Sequence, residues 1–108
     1  MTRSTLIERN GCIFVEDLLN GAHGFDHLDV VGQEAFVNHV HLEGRDRKKN
    51  ADSIISEWTK EMRANWKGRV FRIYRDVNLD EIVIRFHLRR EGVPNWCELG
   101  IEITEIET

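Results

Sequence analysis

The chain has little of what marks the more legible classes of protein. It holds one proline and no low-complexity run in 108 residues, which argues against a disordered chain. No apolar stretch approaches the ~20 residues that span a bilayer, and the opening M-T-R-S-T-L-I-E-R lacks the long apolar core of a signal peptide. A cytoplasmic protein is the expectation. Cys12 and Cys97 are the only cysteines and neither lies in a C-x-x-C motif, so two buried thiols are expected rather than a disulfide staple. There is no P-loop, no G-x-G-x-x-G and no G-x-S-x-G elbow. No pair of carboxylates is marked as general acid and base. The expectation is a protein that is not an enzyme and carries no cofactor.

Positive charge is also missing from one end. Residues 91–108 carry 5 acidic side chains and none basic, while residues 1–44 carry 7 acidic and 2 basic. The middle, 45–90, carries 13 basic and 7 acidic within a total net charge of −4. Acidic ends that converge in space would make a patch suited to a basic partner.

What is present describes one ordinary domain, with 41% hydrophobic and 31% charged residues. The stretch E-I-V-I-R-F-H-L-R-R, residues 81–90, alternates Ile82, Ile84, Phe86 and Leu88 with polar or smaller partners. That is the period of a strand with one buried face. Asn10-Gly11 separates two β-prone runs, 5–9 and 12–16, and predicts a hairpin, because both turn residues need positive φ. Asp17-Leu18-Leu19 reads as a helical turn. Residues 20–32, with glycines at 21, 24 and 32, read as a long loop, a common place for function. Residues 33–43 read as a strand, with Ala35, Val37, His39 and His41 on one face and Glu34, Phe36, Asn38, Val40 and Leu42 on the other. Asn50 or Asp52 is expected to cap a helix to about Trp66, where Ile54, Ile55, Trp58, Met62 and Trp66 form an apolar stripe.

Strands 69–76, 81–90 and 97–104 read as a meander. Phe71 and Ile73 would face the core, and Val70, Arg72 and Tyr74 would face outward. Pairing Leu88 with Leu99 also opposes Phe86 to Ile101 and Ile84 to Ile103, and sets Arg89 against Glu98 and Arg85 against Glu102. The fold class is α+β: an antiparallel sheet of five to six strands, ββ–loop–β–α–βββ, with one main amphipathic helix on one face.

Two groups of side chains could carry chemistry. His39 and His41 share a strand face, a spacing that metal sites use, and His23 and His27 precede them. The run H-V-H-L-E-G, residues 39–44, resembles the first metal motif of cupins, without that family's flanking glycine or second histidine motif. The basic middle offers Arg45, Arg47, Lys48 and Lys49 in a loop, and Arg72, Arg85 and Arg89 as a stripe for nucleic acid. Tyr74 is the only aromatic on that face, fewer than recognition sheets use.

In size, acidity and the lack of an active site, the chain resembles the small immunity proteins of bacterial toxin–immunity pairs. That resemblance implies a cytosolic binding module that neutralises a basic, nuclease-type toxin through carboxylates. The candidate contacts are Asp26 and Asp29 in the Gly-rich loop, and Glu98, Glu102, Glu105 and Glu107 near the C-terminus. Trp96 is the candidate aromatic anchor.

Overall fold

The computed structural model describes residues 5–98 and 100–108. Its elements in chain order are β1 (Leu6–Arg9), β2 (Cys12–Val15), α1 (Glu16–Asn20), α2 (Val30–Val37), β3 (His39–Glu43), α3 (Arg47–Asn65), β4 (Val70–Val77), β5 (Glu81–Arg89) and β6 (Glu102–Glu107). The fold is α+β, with six strands and one main helix as the periodicities require. The strands divide into a two-stranded sheet, β1-β2, and a four-stranded antiparallel sheet in the order β3-β5-β4-β6.

The hairpin forms where Asn10 and Gly11 predict it, with φ of +53° and +82°. β5 is the organising strand. It pairs with β4 from Val70↔Arg89 to Val77↔Ile82, and with β3 from His39↔Arg85 to Glu43↔Glu81. Its alternate residues Ile82, Ile84, Phe86 and Leu88 enter one core with Phe71, Ile73, Trp58, Met62, Leu6, Ile13 and Val15. Trp58 meets the Phe86 ring edge-on at 4.9 Å. A buried side chain of that size stabilises by about 3 kcal/mol. The stripe of α3 is therefore the cover of this face. The helix starts earlier than expected. Asp46 precedes its first turn, with the Asn50 N–H bonding the Asp46 carbonyl. Asp52 does not cap it but pairs with Arg75 of β4 at 2.6 Å.

Three sequence expectations are corrected. Residues 33–43 are not one strand, and the loop 20–32 is shorter than it reads. Asp29 accepts the Gly32 N–H at 2.7 Å and caps the helix α2, so β3 begins only at His39. The helical face of α2 that is buried holds Val31, Glu34 and Ala35, and Asn38 follows in the same row. Two polar residues in that row hide its helical period. The meander is also wrong at its last step. β6 pairs with β4, Phe71↔Ile106 and Tyr74↔Ile103, because β3 already holds the other side of β5. Ile103 therefore does not oppose Ile84, Glu98 does not oppose Arg89 and Glu102 does not oppose Arg85. Leu99 lies outside the described residues. Lastly, Tyr74 and Arg72 are buried, not exposed, because residues 91–98 fold back over the face they point to.

The buried polar residues of α2 join the two sheets. Glu34 is fully buried and accepts the Ile13 N–H at 2.7 Å and the Leu88 N–H at 3.0 Å. Arg90 holds both its oxygens, at 2.7 and 3.0 Å. Asn38, also fully buried, accepts the Val15 N–H at 2.9 Å and donates to the Ile13 carbonyl at 2.8 Å. Its own carbonyl takes the Phe86 N–H at 3.2 Å. Where β2 passes β5, side chains of α2 thus supply partners that a backbone ladder would otherwise provide.

Candidate protein-binding surface

The face of the four-stranded sheet opposite α3 carries Arg72 and Tyr74 from β4, Arg85, His87 and Arg89 from β5, and Ile103, Glu105 and Glu107 from β6. This follows from strand alternation and the observed registers. Arg72 is the hub. Its Nε donates to the Tyr74 hydroxyl at 3.0 Å, one terminal nitrogen to Glu105 at 3.0 Å, and the other to Glu98 at 2.7 Å and the Cys97 carbonyl at 3.2 Å. Of these four bonds, the two to Cys97 and Glu98 fix the crossing segment to the sheet, and the two to Tyr74 and Glu105 hold the guanidinium in place.

His87 lies fully buried beneath that segment. Its Nδ1 faces the Leu88 carbonyl at 3.0 Å, which fixes the proton there. Nε2 is left to accept, from the Tyr74 hydroxyl at 2.8 Å and the Trp96 N–H at 3.4 Å. Burial holds the imidazole below its ordinary pKa, which favours the neutral form. Burial also pushes the Tyr74 phenol up, against the pull of the Cys97 N–H and Arg72, which both donate to its oxygen. Each member is buried and bonded to a neighbour, so the arrangement supports the surface above it.

Trp96 sits on that support, 40% exposed. The Arg85 guanidinium lies 4.2 Å from its ring centroid, and the Tyr74 ring meets it edge-on at 5.1 Å. Arg85 is held in turn by the Ala35 carbonyl at 2.9 Å. Glu98 keeps 63% of its side chain exposed while bonded to Arg72 and Asn95. The Asn95 amide, with Arg72, holds its carboxyl below the usual range despite some desolvation. Glu105 is shared by Arg72 and Arg89, both at 3.0 Å.

The predicted partner residues are thus partly gathered. Trp96, Glu98, Glu105 and Glu107 belong to one face. Glu102 lies on the same strand but turns to the other side, 4.0 Å from Arg75. Asp29 is occupied as a helix cap. Asp26 is exposed beside a shallow hollow lined by Arg9, Asn10, Phe14, Phe25 and Gln33. Among the described residues, neither aspartate hydrogen-bonds or ion-pairs with the 96–107 group. The basic stripe expected for nucleic acid is consumed internally, since Arg72 and Arg89 meet carboxylates and Arg85 stacks on Trp96.

The imidazoles of His39 and His41 stand side by side, ring centroids 5.1 Å apart. His39 Nδ1 bonds the Phe36 carbonyl and His41 Nδ1 bonds Glu81 at 3.0 Å. They would supply two of the three or four ligands that zinc takes. Among the described residues no group of three or more His, Cys, Asp or Glu side chains is placed to hold a metal. Cys12 is buried and Cys97 half-buried, and no disulfide joins them. Burial, then the Glu34 carboxylate, raises the Cys12 pKa, the opposite of an activated nucleophile. Among the described residues no helix is long and apolar enough to cross a membrane.

The sequence offers the carboxylates and Trp96 as candidates, while the structural roles of Glu34, Asn38, Arg90 and His87 were not read from it. The usable signal for the first two was Asp29 ahead of V-V-G-Q-E, a helix start. Comparison with known proteins adds nothing further: no family model matches the chain, and neither a curated protein nor a solved structure matches it significantly.

Proposed function

We propose that the chain is a protein-binding module that takes a basic partner on the 96–107 face, acting in the cytoplasm as a toxin-neutralising immunity protein. The observation that carries this reading is Trp96, a large aromatic left 40% exposed yet clamped between Arg85 and Tyr74. Interface hot spots favour such a side chain, since little rotamer freedom remains to be lost on binding. On the same face lie Glu98, Glu105 and Glu107, and residues 96–107 include no basic residue. Each carboxylate that holds an internal arginine keeps lone pairs for an incoming one. Carboxylates at the rim would speed the encounter with a cationic surface, and Trp96 would supply the buried centre.

The test is capture from the native host at low salt with an N-terminal tag, comparing the native chain with Trp96→Ala and with Glu107→Lys. The expected result is one basic protein at one-to-one stoichiometry, its own activity inhibited by the native chain. Both variants should lose it while keeping their folded-state circular dichroism. A partner retained by both variants would move the site elsewhere. A partner whose activity survives binding would remove the neutralising role.

A further inference from the structure

The four-stranded sheet ends in two edges of opposite character. β6 carries Glu102, Glu105 and Glu107 within six residues, so a second copy pairing there would set carboxylate against carboxylate. Like charges of this kind are a usual guard against edge-to-edge association. β3, His39-Val40-His41-Leu42-Glu43, has no such guard. It contains no lysine, no proline and one carboxylate.

The geometry points to a homodimer in which two copies of β3 pair antiparallel about His41, joining the two four-stranded sheets into one of eight strands. The backbone phase comes first. The Phe86 N–H bonds the Asn38 carbonyl, so 38↔86 is a hydrogen-bonded pair of the β3–β5 ladder. Alternation along the observed register makes 40↔84 and 42↔82 such pairs too. The N–H and C=O groups of His39, His41 and Glu43 therefore point away from β5, to the edge on which no described strand pairs. A two-fold through His41 pairs His41 with its counterpart and His39 with Glu43 of the second copy. All three outward residues then exchange backbone bonds.

The side chains agree on both faces. Val40 opposes Leu42 of the second copy, twice, and both are only half-buried in one chain although they pack on the core. His39 opposes Glu43, twice, so neither carboxylate meets another across the new seam. A slip by two residues would instead bring Arg45 of one copy opposite His39 of the other. There is room at the His39 end. A groove of about 430 Å³ opens there, lined by Leu18, Ala22, His23, Phe36 and His39, where the second copy's chain would continue past Glu43. Phe36 beside it is 43% exposed. Five residue pairs form a small contact beside the ~1,600 Å² of a standard interface, so the dimer is expected to be weak and to dissociate on dilution.

Sedimentation velocity across ~1–300 µM protein at pH 7.5 tests this, together with amide hydrogen exchange at both extremes. The native chain should shift from monomer to dimer, and the His41 and Glu43 amides should gain protection only at high concentration. His39→Glu sets glutamate against Glu43 and should abolish the dimer. Adding Glu43→Lys to it sets opposite charges across the same seam and should bring the dimer back. That rescue separates a lost interface from a damaged fold. A chain that stays monomeric throughout would overturn the proposal, as would a dimer that His39→Glu leaves intact or one whose His41 amide stays unprotected.

Discussion

Two polar networks hold this molecule together, and they differ in where their charges would go if broken. The Glu34–Asn38–Arg90 network sits between the hairpin and β5, with Glu34 fully buried and Arg90 18% exposed. The Arg72–Tyr74–His87 network sits under residues 91–98, and its carboxylates, Glu98 and Glu105, remain 63% and 33% exposed. In the first, losing one partner strands a charge or a backbone N–H in a dry place. In the second, the freed carboxylates turn to water. Similar bond lengths therefore imply different energetic weight: the α2 network fixes the fold, and the Arg72 network fixes a surface.

The largest expected effect breaks the first network. Glu34→Ala leaves the Ile13 and Leu88 N–H groups without their acceptor and the Arg90 guanidinium without its counter-charge, and should cost about 3–5 kcal/mol in chemical denaturation. A loss below ~1 kcal/mol would mean that water replaces the carboxylate and that the site is not dry. Asn38→Leu comes next. It removes the partner of the Val15 N–H and the Ile13 carbonyl, for about 2–3 kcal/mol.

Arg72→Met should cost less in stability, about 1–2 kcal/mol, because Glu98 and Glu105 can hydrate. Its larger effect should be local. With residues 91–98 released, Trp96 should lose its contacts, read as a red-shifted and more quenchable tryptophan component. Unchanged emission at Trp96 with a loss as large as that of Glu34→Ala would reverse the assignment of the two networks.

The smallest effect is a dependence on pH. Burial lowers the folded-state pKa of His87, and likewise of His39. The unfolded chain then binds more protons as pH falls through about 6.5. Stability should therefore drop from that pH downward, by at most ~1.4 kcal/mol per pH unit for each group, until the folded-state imidazole itself titrates. His87→Gln, which keeps an acceptor toward Tyr74, should flatten part of the slope measured by thermal melts between pH 7 and 5. An unchanged slope would assign the effect to His39 or to carboxylates.

The two networks also mark how far the sequence could be read. Asn10-Gly11, the alternation of β5 and the Trp58–Met62 stripe were legible because in each the local pattern and the buried face coincide. α2 was not, because its buried row alternates Val31 and Ala35 with Glu34 and Asn38, and a polar core position carries no apolar period. β6 was misplaced because matching apolar faces cannot tell which side of a strand is already taken. At the candidate surface, Trp96 and the acidic residues could be named from composition. Their arginine partners could not, since Arg72 and Glu98 meet only after the chain crosses the sheet.

The seam between hairpin and sheet has a kinetic consequence. A backbone ladder can fray and re-form one residue at a time, but a seam made by Glu34, Asn38 and Arg90 depends on one short helix being in place. The hairpin and α2 should therefore open together as a single cooperative unit while β3-β5-β4-β6 persists, a partial unfolding below the global one. In refolding the same unit should dock last, since its contacts join Ile13 to Leu88 and Gly11 to Arg90 across most of the chain.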